Sequence, residues 1–314
     1  MSDYRTGRTS RTSGTPGTPG TPGTPGTSGT SRTSRTSRTS RTSRTSRTST
    51  LQLLVSVANA AEASAALAGG ADVIDAKNPL AGALGAVSED VLREIHATVA
   101  GARLVTAAIG DAEDEAEIER AAETFAAAGA ALVKMGFAGI TSASRIEALI
   151  RAAVRGVRSI RLKPDPTGVI AVAYADADRV ASLGAGALVD AAARAGATGV
   201  LLDTADKSGP GLRELMTPAA LARWVADAHD AGLPVALAGK LTADDLAFVR
   251  DAGADIAGVR GAACEGGRCG RVSAERVALL RALCNPAEAG SHVCEGSHVR
   301  QGDLPSNARR SAST

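Results

Sequence analysis

The chain has 314 residues, of which 44% are hydrophobic and only 2% aromatic, and its formal net charge is +2. It contains no run near the roughly 18 consecutive apolar residues of a membrane-spanning helix, so we expect no membrane partner. None of the four cysteines forms a CxxC motif, and their scarcity favours a reduced, cytoplasmic protein without a disulfide framework.

The first segment, residues 1–50, is built of GTP and RTS triplets and lacks Ala, Val, Ile, Leu, Phe, Trp and Cys. A segment with nothing to bury cannot offset the entropy lost on ordering, so we interpret it as a disordered, low-complexity tail. Its nine arginines suggest a nucleic-acid contact as the alternative. No aromatic residues alternate with those arginines to stack on bases, and we therefore expect no nucleic-acid partner.

Residues 51–284 alternate between short apolar runs and Ala-rich stretches that carry charges at helical spacing. The apolar runs predict eight buried parallel strands, at Leu51–Val57, Asp72–Ala76, Leu104–Ile109, Ala131–Met135, Val169–Tyr174, Gly199–Asp203, Pro234–Ala238 and Asp255–Val259. The clearest predicted helices are Asp114–Ala128, Thr141–Val154 and Pro218–Ala231. Eight strands alternating with helices over this length predict an α/β protein, a (β/α)8 TIM barrel. A doubly wound sheet is the alternative, but no GxGxxG motif follows the first strand.

The last segment, residues 285–314, repeats GSHV around Cys294 and has no apolar periodicity. We predict a second disordered tail there. A metal site made by Cys294 with His292 and His298 is the alternative.

Lysine is nearly absent, with five lysines against thirty arginines. Where only a positive charge is needed this composition uses Arg, so a lysine that persists is expected to act as an amine. Four of the five lie at or just beyond the ends of predicted strands, where a barrel builds its active site: Lys77, Lys134, Lys207 and Lys240.

The second strand brings Asp75 and Lys77 to one face, because residues two apart in a strand point the same way. Strand four ends with Lys134, and strand six ends with Asp203, followed by Lys207. Buried ion pairs that only close the barrel are the structural alternative. The convergence of three lysines and two aspartates favours an active site, in which neighbouring positive charges keep one amine neutral enough to attack a carbonyl.

Glycines follow the last two strands, with Gly239 after strand seven and Gly258 and Gly261 around Arg260 at the end of strand eight. Such turns form the usual phosphate site of barrel enzymes, and Arg260 would add a positive charge to it. Tight turns beneath the core would explain the glycines but not the arginine. No HExxH or GxSxG motif occurs, so we expect no metal, no serine nucleophile and no cofactor.

Several motifs carry a resemblance over residues 51–284, in the order LLVSVANAAEASAALAGGADVIDAKNPLAGALGA, LVKMG, AYADADR, LLDTADKSG, ALAG and GVRGAAC. Together they resemble the (5-formylfuran-3-yl)methyl phosphate synthases, also called 4-(hydroxymethyl)-2-furancarboxaldehyde-phosphate synthases, of methanofuran biosynthesis. The resemblance implies a (β/α)8 barrel and a carbon–oxygen lyase that uses no cofactor. It departs in the loop that reads NPLAGALGA, where the family usually carries charge, and at Lys240, where a small polar residue is expected.

The resemblance also implies roles for five residues. Lys77 would form the Schiff base and Lys134 would accept the proton, while Asp75, Asp203 and Lys207 complete the site. Two molecules of glyceraldehyde 3-phosphate would condense through an imine, and loss of phosphate and water would give the furan. Another class I aldolase or transaldolase acting on sugar phosphates is the alternative, and a homo-oligomer is left open by the sequence.

Overall fold

The computed structural model describes residues 50–159 and 167–286. The two predicted tails, 1–50 and 285–314, lie almost entirely outside these ranges, as does the alternative metal site at Cys294. What was expected of them stays a prediction. Within the described ranges, no helix combines the length and apolar character needed to cross a lipid bilayer.

Eight parallel strands close into a barrel, and the first strand pairs with both the second and the eighth. The strands are β1 Gln52–Val57, β2 Val73–Ala76, β3 Leu104–Asp111, β4 Leu132–Gly136, β5 Gly168–Tyr174, β6 Gly199–Asp203, β7 Val235–Leu237 and β8 Ile256–Val259. The predicted barrel is confirmed, and most strand ends lie within one residue of their expected positions. β3 runs two residues further than expected, because a register shift lets Asp111 pair with Gly136 of β4.

Helices follow the strands, as the predicted (β/α)8 alternation requires. They are α1 Ala60–Ala68, α2 Glu89–Val99, α3 Glu115–Ala127, α4 Ala143–Ser159, α5 Ala185–Ala195, α6 Leu212–Leu215, α7 Pro218–Asp230, α8 Leu246–Asp251 and α9 Ala274–Cys284. Short 3-10 turns occur at Ala177–Val180, Ala243–Asp245 and Gly261–Ala263. A two-stranded hairpin, β9 Cys264–Glu265 and β10 Arg271–Val272, follows the last barrel strand.

Local sequence signals explain where the helices begin and end. Thr217 caps α7 by accepting a hydrogen bond from the Ala220 amide, with Pro218 in the first turn, as predicted. Gly196 ends α5 with a φ of 81°, a left-handed conformation that glycine adopts without strain. These signals set the length of each helix and the start of the next strand.

The apolar core has two layers. The larger one lies between the barrel wall and the helices, and its members include Leu53, Ile74 and Leu149. The smaller one includes Ala108 and Leu201.

Candidate active site

Asp75 and Lys134 form a buried ion pair inside the barrel. The carboxylate of Asp75 also accepts hydrogen bonds from Ser56 Oγ and Thr106 Oγ1, each at 2.8 Å. The strand register explains this arrangement, because Ser56 of β1 and Thr106 of β3 are the partners of Asp75 in β2. Three strands therefore hold the carboxylate, and the carboxylate fixes the Lys134 amine.

Asp203 lies between the other two lysines. Its Oδ1 atom accepts hydrogen bonds from Lys207 Nζ at 2.6 Å and from the Thr204 amide at 2.8 Å. Its Oδ2 atom is 3.8 Å from Lys77 Nζ, too far for a hydrogen bond. Among the three site lysines, Lys77 is therefore the one held least tightly by a carboxylate.

Burial gives Lys77 an amine that loses its proton easily. Only 8% of the residue is exposed, and burial lowers the pKa of Lys77 from 10.5 to about 8. Asp203 opposes this shift, while the positive charges of Lys207 and Lys134 add to it. A larger fraction of the Lys77 amine is then neutral near pH 8 than in an ordinary lysine.

Asp203 stays charged in the same surroundings. Burial alone would raise the pKa of Asp203, but Lys207 and Lys77 outweigh it and hold the pKa below its ordinary value. The site thus combines a fixed negative charge with an amine of low pKa. That combination suits covalent catalysis through an imine, since the amine attacks a carbonyl and the carboxylate stabilises the resulting cation.

A cavity of about 410 Å³ joins these side chains. It runs from Leu104 and Ile256 at the starts of their strands up to Lys77 and Lys207 at the mouth. Its lower part is lined by apolar side chains such as Leu54 and Ile170. This lining explains why burial is the largest cause of the lowered pKa of Lys77.

The predicted phosphate glycines differ in their surroundings. Gly239 has a φ of 105°, and it lies with Gly261 at the upper part of the cavity lining. Gly258 pairs with Leu54 in the barrel wall, and a Cβ there would come within 3.3 Å of the Ala238 Cβ. Phosphate binding stays a prediction for all three glycines, which line the same cavity, and Gly258 also permits close packing of the wall.

Arg260 occupies a different environment from the one expected of a phosphate ligand. Its guanidinium bonds to both carboxylate oxygens of Glu62, which is itself buried, and to the carbonyls of Ser56, Arg268 and Gly270. These bonds engage all five N–H donors of the side chain. A phosphate could take one only by displacing a protein acceptor, so the geometry gives Arg260 a positioning role.

Sequence reasoning missed several polar residues that support the site. Thr106 is one of them, and the available signal was a lone polar side chain that faces inward in the apolar strand β3. Tyr174 Oη donates to Asp111 Oδ1 at 2.7 Å, and burial raises the pKa of the Tyr174 hydroxyl. Asp176 accepts hydrogen bonds from the backbone amides of Ala205 and Asp206, which immediately precede Lys207.

Comparison with known proteins places this chain in a family. A family model described as 4-HFC-P synthase matches residues 53–281. The chain is 41% identical over 216 residues to the (5-formylfuran-3-yl)methyl phosphate synthase of Methanopyrus kandleri, covering 68% of this chain and 90% of that one. It is 38% identical over 221 residues to the synthase of the same name from Methanocaldococcus jannaschii, covering 69% and 93%.

Solved structures support the fold alone. Phosphoribosyl anthranilate isomerase from Thermus thermophilus superposes with a TM-score of 0.52 at 16% identity, covering 76% of this chain and 100% of that one. Thiamine phosphate pyrophosphorylase from Pyrococcus furiosus gives a TM-score of 0.50 at 15% identity, covering 76% and 97%. The family model and the relatives carry the assignment: this chain belongs to the 4-HFC-P synthase family.

Proposed function

We propose that this protein condenses two molecules of glyceraldehyde 3-phosphate into (5-formylfuran-3-yl)methyl phosphate through a Schiff base on Lys77. The relatives named for this synthase activity support the product. The observation that carries the mechanism is the Lys77 amine, which is buried, has a pKa of about 8 and is 3.8 Å from the nearest Asp203 oxygen.

The first step joins the Lys77 nitrogen to the carbonyl carbon of one substrate, with loss of water, to give an imine. Removal of a proton from the adjacent carbon then turns the imine into an enamine, with the electron pair moving toward the nitrogen. Lys134 accepts this proton in the proposed scheme. Because the Lys134 ammonium is ion-paired with Asp75, it first passes its own proton to that carboxylate and then takes the proton from the substrate carbon.

The enamine carbon attacks the aldehyde carbon of the second substrate and forms the new carbon–carbon bond. Ring closure and elimination release one inorganic phosphate and, over the whole reaction, two water molecules, and the enzyme amine is regenerated. Asp203 and Lys207 are proposed to move protons during these eliminations, and the hydrogen bond from Lys207 Nζ to Asp203 Oδ1, 2.6 Å long, supports this role. Gly239 and Gly261 are proposed to offer backbone amides to a substrate phosphate.

Incubation with glyceraldehyde 3-phosphate tests the reaction. We expect a furan aldehyde that absorbs in the near ultraviolet, with one phosphate released for each furan formed. Borohydride added during turnover should reduce the imine and leave a substrate-derived mass on the peptide that contains Lys77. An aldol product without near-ultraviolet absorbance would instead indicate another class I aldolase or transaldolase.

Lys77→Arg provides the matched control, since it keeps the charge but cannot form an imine. We expect it to abolish both trapping and furan formation without unfolding the protein. An adduct mapped to Lys134 or Lys207 would show that the roles of the lysines are wrong even if the product is right.

A further inference from the structure

A second arginine reaches the cavity from the hairpin that follows β8. Arg268 lies between β9 and β10, is half-buried, and lines the same cavity as Lys77 and Lys207. Its main chain lies against a predicted phosphate glycine, because a Cβ at Gly261 would be 3.5 Å from the Arg268 amide nitrogen. The hairpin therefore brings an arginine and a backbone amide to one place at the barrel mouth.

Arg260 holds this hairpin in position. Its Nε atom donates to the Arg268 carbonyl at 3.0 Å, and its Nη2 atom donates to the Gly270 carbonyl at 3.0 Å. The other side of the guanidinium is anchored on Glu62 of α1. The buried cation thus fixes the main chain of the hairpin loop at Arg268 and Gly270, and Arg268 projects from the fixed segment.

The Arg268 guanidinium keeps donors available for a ligand. In the described part of the chain, its hydrogen-bond acceptor is the Gly82 carbonyl, 2.8 Å from Nη2, and no carboxylate forms an ion pair with it. Burial lowers the pKa of Arg268, while the negative charge of Asp203 opposes that shift. A partly desolvated cation without an anionic partner is costly, and a phosphate ester would supply that partner with two oxygens matched to the planar fork.

We propose that Arg268 binds a phosphate group of the substrate at the barrel mouth and that Arg260 is the positioning residue that holds Arg268 there. The inference rests on the proposed function, because it names the residue that recognises the phosphorylated substrate. The bond to Gly82 connects the hairpin to the loop after β2, so the phosphate is bound beside the segment that carries Lys77.

Inorganic phosphate is the probe that tests binding without relying on turnover. Its dissociation constant should rise roughly 10- to 100-fold in Arg268→Gln, the range expected for losing a charge-assisted hydrogen bond. Arg271→Gln is the matched control, because Arg271 is exposed in the same hairpin and its substitution removes the same charge. It should change the constant by less than about twofold, because exposed charges at a distance are screened.

Lys240 is the competing cation, since it is exposed near Gly239 and its Nζ contacts the Gly209 carbonyl. The proposal is overturned if Lys240→Gln raises the dissociation constant for inorganic phosphate roughly 10- to 100-fold and Arg268→Gln does not. Unchanged phosphate affinity in Arg268→Gln overturns it as well. Arg268→Met, which keeps the apolar stem of the side chain, replaces the Gln variant if the latter does not fold.

Borohydride trapping separates phosphate recognition from general damage to the site. Arg268→Gln should trap unphosphorylated glyceraldehyde on Lys77 at the wild-type rate but lose the preference for glyceraldehyde 3-phosphate. Equal losses with both aldehydes would show that Arg268 supports the structure of the imine site, and the proposal would fail. If the wild type traps neither aldehyde, the proposed function fails while phosphate binding still decides the role of Arg268.

Discussion

At the residue scale, the chemistry depends on which amine is neutral and which is paired. Lys134 is ion-paired with Asp75, and Lys207 donates to Asp203 at 2.6 Å, whereas Lys77 has only a 3.8 Å approach to Asp203. Burial and the two neighbouring amines then lower the pKa of Lys77. Three side chains of the same type therefore differ in their distances from two carboxylates, and for Lys77 burial is the largest cause of the lowered pKa.

The pH dependence of imine formation follows from the pKa of Lys77. Only the neutral amine attacks a carbonyl, so the trapping rate at low substrate concentration should rise with pH and level off above a midpoint near pH 8. The measurement is the rate of borohydride-trapped adduct from pH 6 to pH 10. A midpoint near the ordinary lysine value of 10.5 would show that the site does not lower the pKa of this residue.

Lys134→Arg tests whether the second lysine moves a proton or only supplies charge. Arg keeps the ion pair with Asp75 but cannot titrate near neutral pH, so kcat should fall by roughly 10²–10⁴. The adduct on Lys77 should still form, because the nucleophile is untouched. Furan formation at a rate near that of the wild type would reduce Lys134 to a counter-charge.

At the scale of elements, loops after the strands are fixed by single side chains. The carboxylate of Asp176, after β5, accepts hydrogen bonds from the backbone amides of Ala205 at 2.7 Å and Asp206 at 2.9 Å. These amides lie in the segment that joins β6 to Lys207. The AYADADR motif thus positions a lysine that is carried by the next strand.

Asp176→Ala should therefore lower kcat and destabilise the fold by about 2 kcal/mol, because two backbone amides lose a charged acceptor. Asp178→Ala is the control, since Asp178 is exposed in the same 3-10 turn. Denaturant unfolding and steady-state kinetics of both variants measure the effect. Similar results for the two substitutions would exclude a specific role for Asp176.

Helix packing gives a second prediction at this scale. A Cβ at Gly156 of α4 would overlap the Glu119 carbonyl of α3, so Gly156→Ala should destabilise the protein by about 1–3 kcal/mol. Gly186→Ala in α5 is the matched control, because a Cβ there meets nothing within 4 Å. That change should stabilise by about 0.5–1 kcal/mol, as alanine favours a helix. Thermal unfolding of the two variants should show midpoints shifted in opposite directions.

At the scale of the whole molecule, the start of β1 is tied to the end of the last helix. The Asn285 side chain accepts from the Leu51 amide and donates to the Leu51 carbonyl, each at 3.0 Å. These hydrogen bonds join the two ends of the barrel domain, because Leu51 and Asn285 are 234 residues apart in the chain. The two hydrogen bonds indicate that Asn285 helps to hold the ends of the barrel domain together.

A shortened chain of residues 50–286 should accordingly fold and turn over as the full chain does. We expect its kcat to be unchanged within about twofold and its free energy of unfolding to change by less than about 1 kcal/mol, the range of ordinary surface changes. A chain that ends at residue 284, and so also lacks Asn285, should have a measurably lower free energy of unfolding than the 50–286 chain. A large loss of stability in the 50–286 chain would mean that residues 1–49 or 287–314 support the barrel.

The sequence by itself determined the barrel and the set of lysines and aspartates at its mouth, and only the tertiary structure decided how the charges are paired. Apolar runs and strand periodicity are local, so eight strands and the placement of Asp75 beside Lys77 could be derived without coordinates. The pairing of Lys134 with Asp75, and the different surroundings of Arg260 and Arg268, depend on contacts between residues far apart in the chain. Arg260 was expected to face a phosphate because it ends a strand, yet the Glu62 carboxylate, supplied by a helix 198 residues earlier, holds it inside the fold.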